Sequence, residues 1–257
     1  MADARISLAF MRRVIRMPIP VVVTTNGTRP RLLNYVMESL SDNMRSNRGF
    51  RFFMSCDRCD DDSVADMKWA LDRLGVEYEI VSDGSWSGAI NRSLDLAYQM
   101  SDVAFVTEDD WILEKPVELD VYYDILVHDD SLASIRFSAP ECGYDIGETP
   151  YGDLVVLSGG CGWMFNNHPK LVHRRIYDII GMYSEPRSGA ERRMRNAFLR
   201  FHRSSADSSC AHVATFSEFE CGKLDDPSLM FTHAGKSTMG HRYKVPERYR
   251  HLNNMAS

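Results

Sequence analysis

The 257-residue sequence predicts an α/β fold with a mainly parallel sheet, and three observations carry that reading. Short apolar runs of strand length alternate with longer segments whose apolar residues recur at helical spacing. Turn residues built on asparagine, aspartate and glycine punctuate them. The fourth apolar run leads directly into three consecutive carboxylates, Glu108, Asp109 and Asp110. A β-α-β-α-β-α-β series of this kind is joined by right-handed crossovers, which bring the ends of the strands to one crevice.

The first strand covers residues 20–25, where three valines and two threonines are stopped by Asn26 and Gly27. Branched side chains favour the extended backbone, and Asn-Gly is a turn pair. Residues 31–40 carry apolar side chains at helical spacing and complete a first βα unit. A second strand spans residues 50–56 and ends at Asp57; a helix over residues 63–74 follows, with Gly75 as its stop. Residues 77–82 form a third strand closed by Asp83 and Gly84. A helix over residues 89–100 then sets Ile90, Leu94, Ala97 and Tyr98 on one face. The fourth strand starts at Asp102 and ends in the acidic triplet. Strand ends are where an open α/β sheet presents its ligands, and carboxylates at i and i+2 can share a hard cation such as Mg²⁺ or Mn²⁺. A solvated acidic turn has the same composition, so the triplet gains weight only from the ordered series before it.

Residues 18–111 resemble the nucleotide-sugar-binding half of a GT-A-fold glycosyltransferase, most like family 2 and its viral relatives. In that family an acidic "DXD" motif ends the fourth strand, and Glu108-Asp109-Asp110 stands in that place with Glu at the first position. The resemblance implies a GT-A-like, Rossmann-type sheet flanked by helices, with an irregular acceptor-side C-terminal half. It implies Mn²⁺ or Mg²⁺ held by Glu108 and Asp110, although the substitution leaves open which carboxylates bind. Thr25, Asn26 and Arg29 after the first strand, Asp57 after the second, and Asn91 opening the helix before the acidic motif would cradle the uracil, ribose and diphosphate of a UDP-sugar. Asp109 and Trp111 would face the substrate.

The second half reads less regularly. Residues 132–137 and 153–157 are strands, and residues 158–165 form a glycine-rich stretch with an aromatic end. Glycine there marks either a bulge or a close approach by a ligand. In the resemblance Trp163 stacks on sugar or acceptor; a tight bend packed on a core tryptophan is the other reading. Residues 166–169 are turn chemistry, and a helix runs from 170 to about 182. Ser188 and Glu191 fit a capping box that opens a helix reaching about residue 202. By resemblance Glu191 is also placed to be the base that deprotonates an acceptor hydroxyl. His233 matches the late histidine that completes the metal shell in many GT-A enzymes. Lys236, Ser237 and Arg242 suit phosphate oxygens, and His241 is a weaker ligand candidate.

Charge is uneven. Residues 102–153 hold 14 acidic against 2 basic side chains, whereas residues 170–203 hold 9 Lys and Arg against 3 acidic. The arginine-rich segment 191–203 is either a solvated helix face pairing with the acidic half or a track for a phosphate backbone. Some viral GT-A-like enzymes are thought to sugar-modify hydroxymethylated pyrimidines in DNA. On that resemblance DNA is the leading acceptor, with Trp163, Phe165 and Trp86 holding an extruded base.

At 44% hydrophobic residues the chain can bury one sizeable core. No apolar run reaches the roughly 18 residues of a membrane span. Residues 1–17 read as a leader that lacks the order of a signal peptide, which points to the cytoplasm, of a host cell if the protein is viral. Residues 18–111 and 112–257 are then the nucleotide-sugar and acceptor halves of one domain. Six cysteines are scattered, with Cys56 and Cys59 the one C-x-x-C, and free thiols are expected. The expected activity is metal-dependent transfer of a sugar from a nucleotide-sugar to a hydroxyl of DNA, a glycan or a protein. A nucleotidyltransferase and a non-catalytic sugar- or nucleic-acid-binding module are the alternatives.

Overall fold

A computed structural model describes residues 17–57, 59–138, 145–158, 168–184, 189–204, 212–216, 230–234, 247–249 and 251. Trp163, Phe165, Ser188, Lys236, Ser237, His241 and Arg242 lie outside them, as do Cys142, Cys161, Cys210 and Cys221.

The chain opens with β1 (Ile19–Thr25), α1 (Pro30–Asn43), β2 (Met44–Arg45), β3 (Phe50–Cys56), α2 (Asp61–Leu74), β4 (Glu77–Ser82), α3 (Trp86–Met100) and β5 (Val103–Glu108). All seven residues of β1 are buried, as expected of a central strand covered on both faces. Pro30 sits in the first turn of α1, where its missing N–H costs nothing. Asp60 caps α2 by accepting the Ser63 amide at 2.8 Å, Asp61 and Asp62 suit the positive helix start, and Gly75 ends it at φ 63°. Ser85 caps α3 by accepting from the Gly88 amide at 3.0 Å. That cap starts α3 earlier than the apolar spacing indicated, so Asn91 lies inside the helix instead of opening it.

The remainder is β6 (Trp111–Leu113), β7 (Val117–Glu118), α4 (Leu119–His128), β8 (Leu132–Arg136), β9 (Asp145–Glu148), β10 (Leu154–Ser158), β11 (Lys170–His173), α5 (Arg175–Ile180), α6 (Ala190–Ser204), β12 (His212–Phe216) and β13 (Phe231–His233). The single helix expected over 170–182 is corrected to a strand followed by a short helix. Leu171 and Val172 are fully buried because β11 lies between β5 and β8, antiparallel to both.

Among the described residues the main sheet has nine strands in the order β4-β3-β1-β5-β11-β8-β12-β10-β9. The pairs among β4, β3, β1 and β5 are parallel; β11 and β10 run against the rest. Side chains alternate across the sheet to build two cores. Val21 and Val23 pack with α1, α2 and α4 on one face, while Val22 packs with Ile90 and Leu94 of α3, Ile176 of α5 and Phe198 of α6 on the other. Two small sheets flank it, β6 with β13 and β2 with β7.

Cys56 and Cys59 are joined as a disulfide with Cα atoms 5.9 Å apart, which corrects the expectation of free thiols at these positions. The bridge packs against Gly27, whose φ is 72° and where a Cβ would come within 2.9 Å of the Cys59 sulfur. Glycine is therefore required at the turn after β1 for backbone conformation and for space. No described helix is long and apolar enough to cross a membrane.

Candidate active site

Strand order reverses beside β1. The chain moves from β1 outward through β3 to β4, then α3 carries it back to β5 on the other flank of β1. At such a switch point the loops after two neighbouring strands part and leave a crevice. The backbone fixes both lips: the Asp109 amide donates to the Thr24 carbonyl and the Asp57 amide to the Thr25 carbonyl, each at 3.0 Å. The acidic motif and the turn after β1 thus meet because β1 pairs with β3 on one side and β5 on the other.

Asp109 and Asp110 are buried, and their environments differ. Asp109 accepts from the Thr25 hydroxyl at 2.6 Å and is paired with Arg29. Thr25 Oγ1 also accepts the Gly27 amide at 3.1 Å, so it locks the turn to the carboxylate. Asp110 receives the other arm of Arg29 at 3.0 Å on Oδ2, and the same oxygen lies 3.5 Å from His233 Nε2. Its Oδ1 is buried without a hydrogen-bond partner among the described residues. Burial alone would raise the Asp110 pKa; the His233 contact and the Arg29 guanidinium more than offset it and hold the carboxyl well below its usual range. Burial also works against the charge of Arg29, but Asp109, Asp110 and the nearby Glu108 outweigh it and raise its pKa.

His233 reaches this point through β-pairing. β13 runs antiparallel to β6 with His233 opposite Trp111, and the Ala234 amide donates to the Asp110 carbonyl at 2.7 Å. A carboxylate oxygen beside an imidazole nitrogen is a donor set suited to Mn²⁺, and the buried Asp110 Oδ1 offers a free lone pair. The residues fit such an ion as two ligands. Glu108 is half-buried at the end of β5 and is not brought into the group; among the described residues no three His, Cys, Asp or Glu side chains converge on one point.

The other expected positions divide. Asn26 accepts the Thr28 amide and hydroxyl at 3.1 and 2.8 Å and shapes the turn after β1. Asp57 is buried at the end of β3, on the crevice side. Asn91 joins two elements: its amide group donates to the Tyr183 carbonyl at 2.8 Å and accepts the Tyr183 amide at 3.0 Å. Trp111, expected against substrate, is a core residue 1% exposed, wedged between the rings of His168 and His233 at 4.5 and 5.0 Å. Trp86 is likewise no base-holding surface, being buried edge-on against Tyr183. Glu191 lies in the first turn of α6.

Sequence reasoning missed the support beneath the site. Arg136, fully buried on β8, donates to His168 Nδ1 at 2.8 Å, and the His168 ring packs tilted against Trp111, which also meets the His233 ring. The available signal was an arginine inside the apolar run 132–137, which a buried strand tolerates only with partners.

No protein-family model matches the sequence, and no curated protein matches it. Among solved structures the chain is similar to S. aureus TarS 1-349 in complex with UDP-GlcNAc, at 13% identity and a TM-score of 0.56, covering 92% of this chain and 64% of that one. A second TarS 1-349 structure aligns at 12% identity and a TM-score of 0.51 over 80% of this chain and 59% of that one. Mannosyltransferase PcManGT from Pyrobaculum calidifontis, in complex with GDP-Man and Mn²⁺, aligns at 11% identity with a TM-score of 0.48, over 77% of this chain and 56% of that one. The chain spans less than two thirds of the length of these structures. Its fold is of the GT-A type that TarS has.

Proposed function

We propose that the chain is a metal-dependent GT-A glycosyltransferase that moves a sugar from a nucleotide-sugar, a UDP-sugar in preference, to an acceptor hydroxyl. One observation carries the reading: at the switch point of a GT-A-type sheet, Asp110 and His233 converge beside a carboxylate that Thr25 and Arg29 hold in place. The UDP-GlcNAc named with TarS supports the choice of donor.

In this reading Asp110 and His233 hold Mn²⁺ or Mg²⁺, which when bound neutralises the diphosphate of the donor. Asp109 orients Arg29, and the turn after β1 with Asp57 receives the nucleoside. Lys236 and Arg242 extend the phosphate-binding surface, and Trp163 faces the sugar. If configuration inverts, Glu191 takes the proton of the acceptor hydroxyl as its oxygen bonds to the anomeric carbon. The bond from that carbon to the diphosphate oxygen breaks, and the nucleoside diphosphate leaves. The acceptor we favour is a hydroxymethylated pyrimidine in DNA, supported by the exposed Arg192 and Arg200 on α6.

A thermal-shift panel of UDP, GDP and dTDP sugars with and without Mn²⁺, run on the protein and on Asp110→Asn, tests the donor half. A metal-dependent shift with UDP-sugars that vanishes in the variant is the expected result; no shift with any donor sinks the proposal. Transfer of labelled sugar to duplex DNA containing hydroxymethylpyrimidine, compared with unmodified DNA, tests the acceptor half.

A further inference from the structure

The carboxylates at the centre of the site already have a cation, supplied by the chain. Arg29 bridges Asp109 and Asp110 with two different nitrogens, so one guanidinium neutralises both. A divalent ion on Asp110 would share Oδ2 with that guanidinium at close range, and two positive charges on one oxygen repel. Metal entry and the present position of Arg29 are therefore in competition.

Two further features show which part of Arg29 is fixed. Its backbone is held, because its carbonyl accepts the Leu33 amide at 3.0 Å in the first turn of α1 and Pro30 follows it. Its side chain is 27% exposed while that of Asp109 is 2% exposed, so the guanidinium lies on the open side of the pair. Among the described residues Arg29 Nε is also buried without a hydrogen-bond partner, as is Asp110 Oδ1. Native structures pair most buried polar atoms. Among the described residues the ion pair leaves one donor and one acceptor unmet, and a cation with its bound anion would satisfy both.

We propose that Arg29 is an exchangeable internal cation: it closes the acidic site until a divalent ion takes Asp110, and then turns its guanidinium to the diphosphate that arrives with that ion. This inference rests on the nucleotide-sugar reading above. Its consequence is that metal alone binds weakly, because it must displace Arg29, whereas metal and nucleoside diphosphate bind cooperatively. Linkage makes the effect reciprocal, so UDP tightens metal binding by the same factor as metal tightens UDP binding.

The test is Mn²⁺ binding to the full chain, followed by electron paramagnetic resonance of the free ion, with and without saturating UDP. Arg29→Gln is expected to bind Mn²⁺ without UDP about tenfold more tightly than the unaltered protein, to bind UDP more weakly, and to show a smaller coupling between the two. Equal Mn²⁺ affinity in the two proteins, with UDP still tightening Mn²⁺ binding in both, overturns the exchange and leaves the donor reading standing. If the unaltered protein binds neither Mn²⁺ nor UDP, the donor reading falls and the exchange with it. Should Arg29→Gln not fold, the unaltered protein still decides the matter by ¹⁵N NMR. The Arg29 Nε–H resonance, assigned by its loss in Arg29→Lys, is expected to move when Mg²⁺ and UDP are added together; a stationary resonance at saturation overturns the proposal.

Discussion

The two flanks of β5 are built on different principles. On the β1 side, β4, β3, β1 and β5 are all parallel, with unbroken pairing along β1 and β3 and a helix between most neighbours. On the other side, β11, β8, β12, β10 and β9 are short, change direction, and include a register shift between His212 and Val213. The parallel flank positions backbone and carboxylates to high order, while the mixed flank brings together segments far apart in the chain. A site at this boundary draws on both sides: Asp109 and Asp110 come directly off β5, whereas His233 is delivered by the small β6–β13 sheet.

The sharpest break in this comparison is Asp110→Asn, which removes the charge that joins the parallel flank to His233. Metal-dependent turnover of the donor should fall about a thousandfold, or ~4 kcal/mol of barrier, in a hydrolysis assay. Retained turnover would place the chemistry elsewhere. Asp109→Ala should act on the fold of the parallel flank itself: it leaves Arg29 with Asp110 alone and the buried Thr25 hydroxyl without its acceptor. Urea denaturation should show a loss of about 3 kcal/mol.

Asn91→Ala cuts the joint between α3 and the Tyr183 segment. Two hydrogen bonds go, so stability should drop by about 2 kcal/mol while UDP affinity stays the same; a fall in UDP affinity at equal folded fraction would return Asn91 to the donor site.

At neutral pH the smallest effect belongs to His173 at the end of β11. Burial, followed by the charge of Arg175, pushes its pKa down to about 4. An unfolded histidine titrates near about 6.5. Between those values the unfolded chain binds the extra proton, so this residue lowers stability as pH falls from 6.5 to 4 and adds no further slope below. Melting temperature against pH should lose that component of its slope in His173→Gln.

Legibility in the sequence follows the same divide. The strands at residues 50–56 and 77–82 were readable to the residue, because each βα unit writes an apolar run, a stop and an amphipathic face in one local stretch. The Ser85 cap is the signal that moves the start of α3 and places Asn91 inside the helix. Residues 170–182 misled because Ile176 and Tyr177 continue an apolar spacing across a boundary, and burial of β11 between two distant strands leaves no local mark. β6 and β13, three residues each, carry no periodicity of their own. The acidic motif was visible from its position after an apolar run. That Glu108 stands apart from Asp110 and His233, and that Arg29 occupies both aspartates, depends on side-chain directions that linear spacing does not encode.

The return of the chain near its end also has a temporal meaning. Glu114 accepts from Arg248 and from the Tyr249 hydroxyl, each at 2.7 Å, and Tyr249 packs on Tyr35 of α1, so late segments are fastened to early ones. During synthesis the parallel flank and its aspartates emerge long before His233 and Tyr249. Until those arrive, Arg29 is the cation that the described residues set against the acidic pair, and a chain cut short by proteolysis or premature termination keeps that pair yet lacks the imidazole.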